Sequence, residues 1–266
     1  MTRFIEIHSL IAYNNSSNIY FKQENLKMDL SVKTIGCDYV FDDKPEPFTT
    51  ELELVDKFEK LLDVFSHKKV LVEREFDCGY GIADAVIFNY KSDSSLLDLS
   101  KIQDDWAYTL KSLPYRQNFD VYLLAEMSGA SLAVSKKALK KFIEAGYCEE
   151  RSNGLYVKLR QPKLLCTSMI AIEAKLRDWK KAIWQANRYK IFSNESWVLL
   201  DKKHSSAAIK NLNEFKRFNT GLATFSPKGC YEVHFSPKRE AHKSDFALWR
   251  ANTLLAKSLI AKDDSF

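Results

Sequence analysis

The chain has no cysteines at C-x-x-C spacing, and its five, Cys37, Cys78, Cys148, Cys166 and Cys230, are scattered and odd in number. A zinc site or a disulfide framework is not expected, and each thiol reads as a small buried residue. The histidines do not cluster. His67, His204, His234 and His242 fall near predicted element ends and His8 near the N-terminus, which disfavours a histidine-metal centre. There is no G-x-x-x-x-G-K loop and no G-x-S-x-G elbow, so ATP hydrolysis and serine-hydrolase chemistry lack support. No apolar run is long enough to span a bilayer, and the N-terminus lacks a charged start followed by an apolar core. The expectation is a cytoplasmic protein without a membrane partner. Internal repeats and low-complexity tracts are also missing.

What is present is an ordinary core-forming composition: 266 residues, 45% hydrophobic and 28% charged, with plentiful Phe and Tyr. That suffices for one large domain or two smaller ones. The net charge of +5 is unevenly spread. Residues 136 to 190 hold fourteen Lys and Arg against five Asp and Glu, a surplus of nine, which leaves the remainder at −4. A local basic surface is the footprint of a polyanion partner, although a merely solvated face has the same composition.

One stretch organises the chain. Residues 168–175, Ser-Met-Ile-Ala-Ile-Glu-Ala-Lys, read as a buried strand. Glu173 and Lys175 stand two apart, on one strand face. An acid and a base on an apolar strand must be paired or bind a metal, because burying charge is costly. The spacing then turns helical: Trp179, Ala182, Ile183, Ala186 and Tyr189 share a face. Gln185 and Tyr189 are neighbours on that helix.

Further back, Val70 to Phe76 and Ile82 to Phe88 flank a Gly-containing turn and read as a hairpin. Asp84 sits among apolar neighbours in its second strand. Before it, Thr50 and Glu53 suggest a capped helix with an apolar stripe at Leu54, Val55, Phe58, Leu61, Leu62 and Phe65. Glu51 lies on the stripe side. It reads either as an inward acid or as a first-turn Glu favoured by the helix dipole.

These residues resemble the PD-(D/E)XK nuclease superfamily. Its members carry an acid on one strand, Glu-x-Lys on the next, and then a helix. Asp84, Glu173-Ala174-Lys175 and the Gln185/Tyr189 pair match in order, over roughly residues 48–95 and 165–260. The resemblance implies an α/β (α+β) fold, a restriction-endonuclease-like core with a central mixed sheet flanked by helices. It implies Mg²⁺, with Mn²⁺ as a substitute, on Asp84, Glu173 and the Ala174 carbonyl, with Glu51 as a further candidate. Lys175 would orient or deprotonate the attacking water, or meet the developing charge. Gln185 would hold the phosphate or a water, and Tyr189 would pack the helix or reach the DNA. The bland alternative is a Glu173–Lys175 ion pair at a strand end, with Gln185 on the surface and Tyr189 in the core.

Some ninety residues separate Asp84 from Glu173, whereas these motif strands are usually close in sequence. The intervening segment reads as helices over 102–110, 119–127 and 135–145, then a hairpin around Asn153-Gly154. In the third helix Leu139, Phe142 and Ile143 point inward, and Lys136, Lys137, Lys140 and Lys141 outward. Helix, helix, turn, helix, hairpin resembles a winged helix, whose last helix enters the major groove while the wing, here at Arg151, follows the backbone. Many winged helices bind only proteins.

The domain expectation is a β-rich extension over 1–47, a core over 48–99 and 164–266, and an inserted module over 100–163. In the first part, strands are expected near 3–13, 19–21 and 33–41. After the motif helix come a strand at 196–201, a helix at 205–218, a hairpin at 221–235 and a closing helix at 247–261. The functional expectation is a Mg²⁺-dependent deoxyribonuclease of a restriction, defence, mobile-element or repair setting. The alternative is a non-catalytic DNA-binding subunit on the same fold. RNA as substrate, and a homodimer or a partner protein, stay open.

Overall fold

The apolar run ending at Glu173 and Lys175 forms a long strand, and a sheet is built outward from it. The computed structural model describes residues 34–35, 46–65, 70–91 and 95–263. In chain order the elements are β1 (Thr34–Ile35), α1 (Glu51–Phe65), β2 (Val70–Asp77), β3 (Ile82–Tyr90), α2 (Ser95–Ser100) and, after a 3₁₀ turn at Asp104–Trp106, α3 (Ala107–Ser112). β4 (Asn118–Phe119), α4 (Val121–Ser128), α5 (Leu132–Glu144), β5 (Cys148–Ser152) and β6 (Leu155–Lys158) follow. Then come β7 (Cys166–Lys175), α6 (Trp179–Tyr189), β8 (Glu195–Asp201), α7 (Ser206–Lys210), α8 (Leu212–Phe218), β9 (Gly221–Phe225), β10 (Tyr231–Phe235) and α9 (Asp245–Asp263).

The chain divides into two units. One holds the described residues up to Tyr90 together with Ser168–Lys243. Its sheet runs β1-β10-β9-β8-β7-β3-β2 and is mixed: β7, β8 and β9 are parallel, and the flanking pairs β2–β3, β9–β10 and β1–β10 are antiparallel. Strand alternation sorts the side chains to two faces. Ile170, Ile172 and Ala174 of β7, with Trp197, Leu199, Ala223 and Phe225, pack under Leu54, Val55, Phe58 and Leu62 of α1. Val198, Leu200 and Leu222 face Ala182, Ile183 and Ala186 of α6 and Ala208 and Phe215 of α7 and α8. Where β8 meets β9, Trp197 lies over Gly221, and any Cβ there would come within 2.3 Å of the indole.

The local chemistry explains the boundaries. Thr50 Oγ1 accepts the Glu53 amide at 3.0 Å, as a capping box requires, but the Glu53 carboxylate returns to the Thr49 amide and hydroxyl, one residue earlier. Those bonds hold the exposed Glu53 at a pKa of about 2. The expected helix over 205–218 is instead two, broken at Asn211. The strands expected near 3–13 and 19–21 lie outside the described residues. Of the third, Thr34–Ile35 pairs antiparallel with β10, so this part of the 1–47 segment joins the sheet. Cys78, Cys148 and Cys166 are buried and outside any disulfide, as expected. Cys230 departs from that expectation: it is disulfide-bonded.

The second unit comprises Lys91–Thr167 and the segment from Ser244. The closing helix α9 therefore departs from the expected grouping with residues 164–266. Its Asn252, fully buried, donates to the Cys166 carbonyl and accepts the Cys166 amide at 3.0 and 2.8 Å, and its Lys257 and Arg250 pair with Asp104 and Asp105. The helix expected over 102–110 is a 3₁₀ turn followed by α3. That expected over 119–127 starts late, because Asp120 caps it through the Leu123 amide and leaves Asn118–Phe119 to pair with β6. α5 carries Leu139 and Phe142 inward and Lys136, Lys137, Lys140 and Lys141 outward; Ile143 is exposed, contrary to expectation. Asn153 (φ 51°) and Gly154 (φ 75°) make the tight β5–β6 turn. The small sheet is ordered β4-β6-β5.

Lys158 of β6 is fully buried. Its ammonium donates to the Leu110 and Lys111 carbonyls at the end of α3 and to Gln161, at 3.0 to 3.2 Å. Helix-end carbonyls need such partners. Lys158→Met should keep the stem packing and orphan those acceptors. Urea unfolding should show a loss of about 1–3 kcal/mol.

Candidate functional site

β3 and β7 are neighbours in the sheet. By strand alternation Asp84, Glu173 and Lys175 lie on the face opposite the α1 core. Lys175 is the centre of the cluster. Its Nζ stands 2.9 Å from Glu173 Oε1, 3.1 Å from Glu51 Oε2 and 3.8 Å from Asp84 Oδ2. It also donates to the Ala174 carbonyl at 3.1 Å. Asp84 Oδ2 accepts the Ala174 amide at 2.7 Å, which ties the two strands together at the site. Glu51, in the first turn of α1, meets Lys175 while its side chain stays 44% exposed, so features of both readings of this residue are present.

Three carboxylates around one ammonium leave a surplus of negative charge in a half-buried place. Glu173 is 1% exposed. Burial, and then the charge on Asp84, push its carboxyl above the usual carboxylate range. Asp84 is raised as well, mainly by burial. For Lys175, burial opposes the charge, but Glu173, Asp84 and Glu51 outweigh it and raise the pKa. Lys175 is thus a firm ammonium at neutral pH in this state. It can orient a water or meet negative charge; it is not poised as a base.

Tyr189 departs from the expected DNA contact. It is 1% exposed, packed under the sheet, with its hydroxyl 2.6 Å from both Glu173 Oε2 and the Ile82 carbonyl. One hydroxyl hydrogen serves one acceptor at a time. The second contact closes when Glu173 itself carries a proton and donates to Tyr189, in keeping with its raised pKa. Tyr189 therefore positions Glu173 from the buried side of α6. Gln185, on the same helix, has a buried amide oxygen without a hydrogen-bond partner among the described residues. Glu173 Oε1 is buried too, with the Lys175 ammonium 2.9 Å away.

Two contributions escaped the sequence reading. Glu75 faces Asp84 across the hairpin, at the gap between the pairs Arg74↔Ala85 and Phe76↔Ala83, with φ at 45°. Its charge adds to the repulsion on Asp84. In Val-Leu-Val-Glu-Arg-Glu-Phe-Asp it looks like any solvent-facing strand acid. The Ile82 carbonyl carries no side-chain signal at all.

The predicted surface residues fall elsewhere. Lys136, Lys137, Lys140 and Lys141 are exposed on α5, and Lys140 and Lys141 share Glu144 at 3.9 and 2.6 Å. Arg151, beside the β5–β6 turn, pairs with Glu149 at 2.8 Å. Among the described residues, no three His, Cys, Asp or Glu side chains are gathered so as to hold a metal as they stand, and no helix is long and apolar enough to cross a membrane. Comparison with known proteins finds no family model, no curated protein and no solved structure that matches the chain.

The raised carboxyl of Glu173 has a consequence for stability. Between its ordinary range and its folded value, the folded state holds the proton more tightly than the unfolded one. Stability therefore falls as pH rises through that window, and above the folded value the penalty is fully present. Glu173→Gln removes it, and the new amide can donate to Tyr189. The variant should melt at a higher temperature than wild type at pH 7.5. Its advantage should shrink as the pH falls into the range where folded Glu173 is protonated. Thermal melts over a pH series check both.

Proposed function

We propose that this protein is a metal-dependent nuclease that hydrolyses DNA phosphodiester bonds, built on a restriction-endonuclease-like core with a winged-helix module. The observation that carries the reading is the convergence of Asp84, Glu173 and Glu51 on Lys175 from α1, β3 and β7. Sequence separations of 90 and 124 residues are bridged to do so. The order of a strand acid, a neighbouring strand with Glu-x-Lys and a following helix supports it as well.

The donor set fits a hard divalent cation. Mg²⁺ takes a few carboxylate oxygens and keeps several waters. The carboxylates of Asp84, Glu173 and Glu51 outnumber the single Lys175 ammonium among them, and that local charge surplus calls for a cation. Asp84 and Glu173 would hold it, with the Ala174 carbonyl and Glu51 as further oxygens. Once bound, Mg²⁺ or Mn²⁺ supplies Lewis-acid stabilisation of phosphoryl oxygens and a water of lowered pKa. Tyr189 keeps Glu173 oriented. Lys175, as an ammonium, would face the charge that develops on phosphorus oxygens. Gln185 would offer its amide to a phosphate or a water.

The order α3, β4, α4, α5 and the β5–β6 hairpin, with β4 completing the small sheet, supports the winged-helix reading. Exposed lysines on α5 and Arg151 suit phosphate contacts, although Glu144 and Glu149 already offset part of that charge. A second reading, a DNA-binding subunit without catalysis, draws on the Lys175 ammonium filling the space between the carboxylates.

Cleavage assays on supercoiled, linear and single-stranded DNA with Mg²⁺ or Mn²⁺ test the proposal. Glu173→Ala and Lys175→Ala should each reduce turnover by at least about a hundredfold, the scale of losing one electrostatic stabiliser. DNA binding in EDTA should persist in both. Calorimetry should show Mn²⁺ binding that depends on Asp84 and Glu173. A wild type without such binding is not this enzyme.

Replacing Lys136, Lys137, Lys140 and Lys141 together by Ala tests the module. The salt dependence of DNA affinity should flatten by up to about 3–4 in log–log slope, since fewer counterions are released. An unchanged slope moves the DNA contact elsewhere.

A further inference from the structure

α6 buries Ala182, Ile183, Ala186 and Tyr189 and presents a different chemistry outward. Trp184 is 62% exposed, the largest apolar side chain on that surface. One turn on, the Arg188 guanidinium lies over its ring, 5.0 Å from the centroid. Arg188 is itself held against the hairpin. A Cβ on Gly81 would lie 3.3 Å from the guanidinium, and Gly81 adopts φ +110°, which a side chain would strain. The next residue, Tyr189, bonds both Ile82 of that hairpin and Glu173. The Trp184–Arg188 pair is therefore fixed to the elements that carry Asp84 and Glu173.

The exposed charges of this helix and its start are mostly basic. Arg177, Lys180 and Lys181 are exposed on or just before the same helix. The sole acid there, Asp178, serves as the N-cap and accepts the Lys181 amide at 3.0 Å. An apolar docking face for a protein would carry several adjacent apolar residues and mixed charge. Here a single flat aromatic stands in a cationic stripe, stiffened by a guanidinium. That combination suits the base and backbone of a single strand, since aromatic rings stack on any base while cations follow the phosphates.

We propose that Trp184 and Arg188 form a stacking platform for an unpaired nucleotide, so that the substrate is nucleic acid with single-stranded or frayed character at the site. The proposal rests on the nuclease reading for its meaning but not for its test. Binding is measured in EDTA, where no cleavage is needed. The probes are a fluorescein-labelled oligo-dT of twenty nucleotides, the same length containing 2-aminopurine, and a blunt duplex of equal length.

Trp184→Ala should weaken oligo-dT binding by roughly tenfold or more, the scale of one lost stack, and leave duplex binding within about twofold. Trp184→Phe should keep most of the affinity. The 2-aminopurine emission should change on binding to wild type and not to Trp184→Ala. Equal weakening for single strand and duplex, or no change in either, overturns the platform. So does a Trp184→Ala variant that binds oligo-dT normally but shifts oligomeric state in size-exclusion chromatography, which would make the indole a protein contact. The nuclease reading fails separately, if wild type never cuts any substrate with Mg²⁺ or Mn²⁺ while the Trp184 effect on oligo-dT stands.

Discussion

The ammonium of Lys175 holds the site unit's chemistry together. Three carboxylates from different elements would repel one another in a half-buried space without it. Burial makes the arrangement costly, because each charge gives up water. The ion pairs and the amide of Ala174 recover part of that cost. The sheet supplies the rest of the constraint. β7 is paired on both sides, so Glu173 and Lys175 cannot drift, and α1 is pinned by its own core stripe.

The site is also a place where stability and chemistry pull apart. An uncharged residue at Glu173 would suit the surrounding core better than an anion does. Tyr189 makes the strain tolerable by giving the carboxyl a partner, yet the Ile82 carbonyl competes for the same hydrogen. The buried amide oxygen of Gln185, without a hydrogen-bond partner among the described residues, follows the same pattern. Groups left incompletely bonded in a folded interior are costly, and they concentrate where a ligand can complete them.

Much of this was legible in the sequence for a physical reason. Strong periodicity marked α1, β2, β3, β7, α6 and α5, and the turn residues Asn153 and Gly154 fixed a hairpin. The acid–base pair on an apolar strand announced itself because such a pair must be explained. What was hidden depended on tertiary contact. The break at Asn211 separates two helices whose apolar pattern runs on unbroken. Asp120 works as a cap only because Phe119 is drawn into a small sheet. α9 has no clear apolar face of its own, so its partners could not be read, and its alliance with α2 and α3 appears only in three dimensions. Tyr189 looked like a residue that could face outward or inward, and the Glu173 carboxyl decided it.

The bond between Phe48 and Asp201 spans 153 positions, and it places a late strand under the very start of α1. A chain emerging from its N-terminus must therefore hold α1 and the β2–β3 hairpin without their final partner until most of the polypeptide exists. Asp84 is made long before the strand that carries Glu173 and Lys175. Closing such long loops costs entropy before any contact repays it, which slows folding and keeps sheet edges open meanwhile. The acidic cluster thus comes into being late and all at once, as a property of the completed chain.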